Sequence, residues 1–181
     1  MLVFWEKGYA GASLADLTAN MGINKPSMYA AFGNKEQLHR CALEWYGKHY
    51  GEKNLEILRD ESKPSGERLE IFLESVARMQ FDKNLPGGCL VSSSVSETAS
   101  GTLSANTIGE VKNMQVLTEN RLIEFFDKAK ANGELDQNFN SKNNALLIAL
   151  LIHGSAIMAR SGKRIEEVRA AFALSLAGLG F

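Results

Sequence analysis

The sequence predicts an all-α protein: a helix-turn-helix unit followed by a larger helical region. Three observations predict this. Residues 13–35 carry capping and turn signals spaced for two short helices. From residue 34 onward, apolar residues recur three and four apart. No segment shows the sustained alternation of a strand, and no internal repeat or low-complexity tract interrupts the pattern.

Leu2 to Trp5, then Glu6 and Lys7, read as the tail of a helix that stops at Gly8. Ser13 with Asp16 three positions on forms a capping box, with the acid at the positive helix end. Leu14, Leu17 and Met21 follow at helical spacing, and Gly22 supplies the stop. Asn24 caps the next helix, where Pro26 is tolerated because its missing N–H lies in the first turn. Met28 and Phe32 point inward together, leaving Lys25, Ser27 and Tyr29 for the outer face. Gly33 ends that helix, and Asn34 with Gln37 opens a long one. An outward face of this kind at a helix start suits a DNA groove, with neighbouring groups on the phosphates. A helical hairpin with a solvated polar face would show the same residues.

Gly8-Tyr9, Ser13 to Leu17, Met21-Gly22-Ile23, Lys25 to Tyr29, Phe32 and Lys35 to Leu38 together resemble the DNA-binding domain of the TetR/AcrR family. The resemblance covers roughly the first quarter of the chain. It implies DNA contacts from Ser13, Lys25, Pro26, Ser27, Tyr29 and Lys35. In that family a full first helix precedes the glycine. Only about two turns stand before Gly8 here, so the chain is expected to begin late relative to the family.

The long helix from residue 34 to 60 carries Leu38, Cys41, Ala42, Trp45 and His49 on one stripe, with Gly47 and Gly51 weakening its second half. His39 and His49 read as solvated or stripe-edge residues. Turn formers cluster at 62–66. We divide the chain into residues 1–50, facing DNA, and residues 51–181, for ligand binding and dimerisation. Leu69, Phe72, Leu73 and Val76 mark a helix over 66–82. Leu85 to Val91 breaks it, and its glycines lack the Gly-Lys-Ser/Thr of a phosphate loop. The following short helix, 89–99, resembles one that borders the ligand cavity in the same family. A long helix spans 103–132 and ends at Asn132-Gly133. Ser141 is expected to cap the next, which runs to about Arg160 and is apolar nearly all round from Ala145 to Ala159. The last helix covers 164–179.

Candidate cavity residues are Phe72, Met79, Met114, Phe125 and His153, each of which also suits a plain helical core. The apolar penultimate helix fits either a buried core helix or a partner surface; the family resemblance implies the latter, a four-helix arrangement about a two-fold axis with Leu151, Ile157, Val168, Phe172 and Leu176 as candidate dimer contacts.

The 181 residues carry a formal net charge of −1, and residues 1–50 hold five cations against four carboxylates, a net of +1. No general basic field announces nucleic acid, so affinity must lean on dimerisation. Cys41 and Cys89 lack metal-ligand spacing and fit a reducing cytoplasm. The longest apolar run, 145–152, is far short of the roughly 20 residues of a membrane span. Ser92 to Ser94 have no Gly-x-Ser-x-Gly elbow, and no acid–base pair or metal cluster can be assembled. The expectations are therefore no enzyme, no cofactor, no metal and no membrane partner. The resemblance implies a ligand-responsive, DNA-binding transcriptional regulator: a homodimeric repressor on a palindromic operator, answering to a small apolar or amphipathic effector. The alternative is a helical sensor or interaction protein that no longer binds DNA.

Overall fold

A computed structural model describes residues 1–179. Among the described residues ten α-helices follow one another: α1 Leu2–Gly11, α2 Leu14–Met21, α3 Lys25–Phe32, α4 Lys35–Tyr46, α5 Glu52–Glu56, α6 Ser65–Gln80, α7 Leu90–Glu97, α8 Ala105–Ala131, α9 Ser141–Arg160 and α10 Ile165–Leu179. A π-helical turn, Gly47–Gly51, joins α4 to α5 into one rod that ends in a 3-10 turn, Ile57–Arg59.

Two apolar clusters organise the chain. One is built from α6, α8, α9 and α10 around Phe72, Phe126, Leu122 and Ile148. Arg68 is buried beside it. Its guanidinium donates to the Leu58 carbonyl at 3.0 Å and lies over the Phe125 ring. The other cluster gathers Phe4, Trp5, Leu17, Met28, Leu38 and Leu43 from α1 to α4, and continues into Leu90 and Val91 of α7, Val111 of α8 and Ala156 of α9. The helix-turn-helix core thus runs directly into the larger bundle.

Polar links reinforce that junction. The Trp5 indole N–H donates to the Gly87 carbonyl at 2.9 Å. Arg40 donates to both carboxylate oxygens of Glu110, at 2.7 and 2.8 Å. Glu36 accepts from the Ser104 amide and the Thr107 hydroxyl.

Several expectations need correction. The buried stripe of α4 is Leu38, His39, Ala42, Leu43 and Tyr46, while Cys41, Trp45 and His49 face solvent. The helix packs against α1, α7 and α8 at once, which turns it away from the stripe of largest side chains. His39 is fully buried against Phe4 and Tyr9. Asn140, not Ser141, caps α9, accepting from the Asn143 amide. Ser141 instead donates to Asp127 at 2.6 Å. Over its full length α9 is long and apolar enough, by composition, to cross a membrane, a property that core helices share.

Burial drives the His39 imidazole down to about 4, because charging it inside this cluster forfeits hydration. The unfolded chain therefore binds the proton first. Stability is full above the ordinary histidine value and falls as pH drops from about 6.5 towards 4, by about 3 kcal/mol in all. His153, also lowered by burial, adds in the same direction. The carboxylates of Asp16 and Glu36, held low by their donors, lose their contributions only at more acid pH. Urea midpoints measured from pH 7.5 to 4.5 (about the carboxylate range) should decline in the wild type and flatten in His39→Leu. Parallel declines would remove His39 from this account.

Candidate nucleic-acid interface and effector cavity

Local chemistry sets α2 and α3. The Ser13 hydroxyl accepts from the Asp16 amide at 3.0 Å, and Asp16 accepts from the Ser13 amide at 3.0 Å. Lys7 adds an ion pair to Asp16 at 2.7 Å. That bond, with those from Ser13, lowers the carboxyl to about 2. Gly22 closes α2 in the left-handed region, and the Ile23 amide reaches back to the Thr18 carbonyl. Asn24 accepts from the Ser27 amide at 2.8 Å and starts α3. Only Met28 of α3 is buried, and it is completely so. Lys25, Pro26, Ser27 and Tyr29 are exposed, side by side on the first turns.

Ser13 is exposed, but its hydroxyl is engaged by Asp16. Lys35 is half-buried, with its ammonium 4.5 Å from the centre of the Tyr9 ring, and desolvation there lowers its pKa. Five of the six expected DNA-contact residues, all but Lys35, therefore lie on open surface.

A cavity of about 420 Å³ opens between the α4–α5 rod, α6, α8 and α9. Phe72, Met79, Met114 and His153 line it, as do Tyr46, Asn54, Gln80 and Cys89. Phe125 does not: it faces the bundle core, packed on Phe126 and Arg68. The wall is mostly apolar, and several of its polar groups are already paired. Tyr46 donates to the Cys89 sulfur at 3.2 Å, and burial pushes its phenol well up. Gln80 donates to the Ile152 carbonyl and accepts from Ser155. Ser92 lies 2.7 Å from Nδ1 of His153, which satisfies an imidazole placed in an apolar helix. A space of this size and polarity suits a small apolar molecule.

The described residues contain no group of His, Cys, Asp or Glu arranged to hold a metal.

The sequence signature described as "Bacterial regulatory proteins, tetR family" matches residues 1–40. The HTH-type transcriptional repressor ComR of Escherichia coli (strain K12) is 31% identical over 170 residues, covering 93% of this chain and 79% of ComR. The chain belongs to the TetR family. It is a helix-turn-helix transcriptional regulator and not an enzyme. Solved structures that align with nearly the whole chain include two TetR family regulators. One is a cysteine mutant of the TetR family transcriptional regulator CifR complexed with 26bp double-strand operator DNA, 29% identical, TM-score 0.85, covering 97% of this chain and 91% of that one. The other is a TetR family regulator from Agrobacterium tumefaciens, 21% identical, TM-score 0.86, covering 97% and 90%, which shares the fold.

Sequence reasoning missed Arg160 and Glu97, which bridge the helix-turn-helix unit to the bundle. No local signal marks them, since their partners lie 154 and 155 residues away for Arg160, and 87 and 88 for Glu97.

Proposed function

We propose that the chain is a ligand-responsive repressor that binds a palindromic operator as a homodimer in the cytoplasm. Residues 1–50 contact DNA; residues 51–181 bind the effector and dimerise. The observation that supports this best is the outer face of α3, where Lys25, Ser27 and Tyr29 stand exposed on a helix whose other side is anchored by Met28. Lys25, Pro26, Ser27 and Tyr29 enter the major groove, while Ser13 and Lys35 approach the backbone.

Pairing is supported by an apolar strip on the last two helices. Leu146, Leu147, Leu150, Ile157 and Met158 of α9 and Leu174 of α10 are all exposed. Between the helices runs a shallow groove floored by Gly154, Ser155 and Ala171. Small residues there let two helix pairs approach about a two-fold axis. Of the residues expected at this interface, Ile157 is exposed and Leu151 and Leu176 are half-buried. Val168 and Phe172 are corrected to the monomer core, where they pack inward on α6 and the rest of the first cluster.

A small apolar or amphipathic effector occupies the cavity and favours one conformation. Its leverage is its differential affinity for the two states; about 5.5 kcal/mol turns 1:99 into 99:1.

Selection from a random duplex library tests this reading. Enrichment of two inverted half-sites about one helical turn apart is the expected outcome. Enrichment of no sequence at all would favour the sensor without DNA binding. In the same assay Tyr29→Ala should weaken binding to the selected duplex by about 1–3 kcal/mol per protomer and leave the dimer intact. Unchanged affinity would take Tyr29 off the contact surface.

A further inference from the structure

Helix α1 is broken. Gly8 has φ 71° and ψ 176°, so the helical hydrogen-bond ladder stops and restarts there. The break leaves carbonyls unpaired on one side and amides unpaired on the other. Both sets find charged partners from distant helices. Arg160, the last residue of α9, donates to the Trp5 carbonyl at 2.9 Å and to the Glu6 carbonyl at 2.7 Å. Glu97, the last residue of α7, accepts from the Tyr9 amide at 2.8 Å and the Ala10 amide at 3.0 Å. A cation meets the negative end of the first segment and an anion meets the positive end of the second, the favourable sense for both dipoles. A Cβ at position 8 would stand 2.8 Å from the Glu97 carboxylate, so glycine is needed for the grip as well as for the break.

These two residues connect three parts of the molecule. Arg160 ends the helix that carries the exposed apolar strip. Glu97 ends the helix whose first turn, with Val91 behind Cys89, walls the cavity. Beyond the break, the Tyr9 ring meets Lys35 and His39 of α4, directly after the outward-facing helix α3. The segment they hold is therefore the joint between the helix-turn-helix unit and the rest.

We propose that Arg160 and Glu97 are positioning residues that fix the angle of each helix-turn-helix unit to the dimer helices, and thereby specify the spacing of the two operator half-sites. The proposal rests on the dimeric DNA-binding reading above. Neither residue touches DNA. Each acts through α1.

The test is a parallel selection from a random library of about 30 base pairs, long enough for two half-sites one turn apart. Wild type, Arg160→Met, Arg160→Lys and Glu97→Gln proteins are compared, after sedimentation and thermal melting establish that each is a folded dimer. Methionine keeps the apolar stem of Arg160 that packs beside Gly88. The expected result is an unchanged half-site sequence in every protein. Wild type favours one spacing over its neighbours by about tenfold, the scale of one charge-assisted hydrogen bond per joint. Arg160→Met and Glu97→Gln fall to about twofold, and Arg160→Lys recovers part of the preference. A merely structural role would lower affinity equally at all spacings. Folded dimeric variants that keep the narrow wild-type spacing, or that lose the half-site motif itself, overturn the proposal. A wild-type protein that enriches no paired half-sites overturns the DNA-binding reading, and the spacing role falls with it.

Discussion

Replacing Leu174 with Asp is expected to convert the protein from dimer to monomer without unfolding it. Leu174 is 77% exposed in the single chain, and Leu150 is 61% exposed. An aspartate at either position stays in water in the monomer, so stability should change by no more than about 0.5 kcal/mol. In the proposed dimer the same carboxylate would enter the apolar contact between copies, where desolvation and like-charge repulsion would oppose assembly. Operator affinity should then fall by about a hundredfold or more, because the second half-site no longer binds as an intramolecular event. Phe172→Asp provides the contrast. Phe172 is 4% exposed and belongs to the bundle core. A buried carboxylate there should destabilise the monomer itself, by about 4 kcal/mol or more. Sedimentation and circular dichroism on both variants separate the outward from the inward face of α10. A Leu174→Asp protein that remains dimeric would remove this strip from the interface.

The second large effect is expected at Gly88. Its φ is +68°, and its amide donates to the Gln80 carbonyl at 2.8 Å. A Cβ there would lie 2.7 Å from the Ala156 carbonyl oxygen and about 3 Å from the Arg160 stem. Alanine must therefore accept left-handed strain of about 1–2 kcal/mol and also push α9 away from the start of α7. We expect Gly88→Ala to cost about 2–4 kcal/mol in all, lowering Tm by about 5–12 °C in a chain of this size. The adjacent Gly87→Ala has the same kind of backbone strain, but its Cβ would meet nothing closer than 3.8 Å. Only the strain component should appear there. Equal melting losses at the two positions would show that the close approach of α7 and α9 contributes nothing.

Local features were well marked in the sequence. Ser13, Asn24 and Asn34 each accept from the amide three residues on, as their positions before apolar runs imply. Met28 is inside and Tyr29 outside because consecutive helix positions point about 100° apart. Errors arose where several partners compete for one helix. Trp45 looked like a core residue by size, but α4 turns Tyr46 inward onto Trp5 and leaves Trp45 stacked on His49 in solvent. Val168 and Phe172 have the spacing of an interface and of a core alike; their side depends on where α6 lies, which periodicity does not record. Phe125 was assigned to the cavity for the same reason. The grip of Arg160 and Glu97 on the Gly8 break had no sequence signature, because it joins residues that only the tertiary fold brings together. His39 is the reverse case: a polar residue in a polar-looking stretch that three neighbouring helices bury completely.

The most direct test of the central claim is the salt dependence of binding to the selected duplex by Lys25→Ala. If α3 from each of two protomers lies against DNA, the complex loses two cationic contacts. The slope of log K against log salt should then shrink by about 2, near 0.9 for each contact, while the preferred half-site spacing stays unchanged. A slope identical to that of the wild type would place Lys25 away from the duplex and contradict α3 as the reading helix.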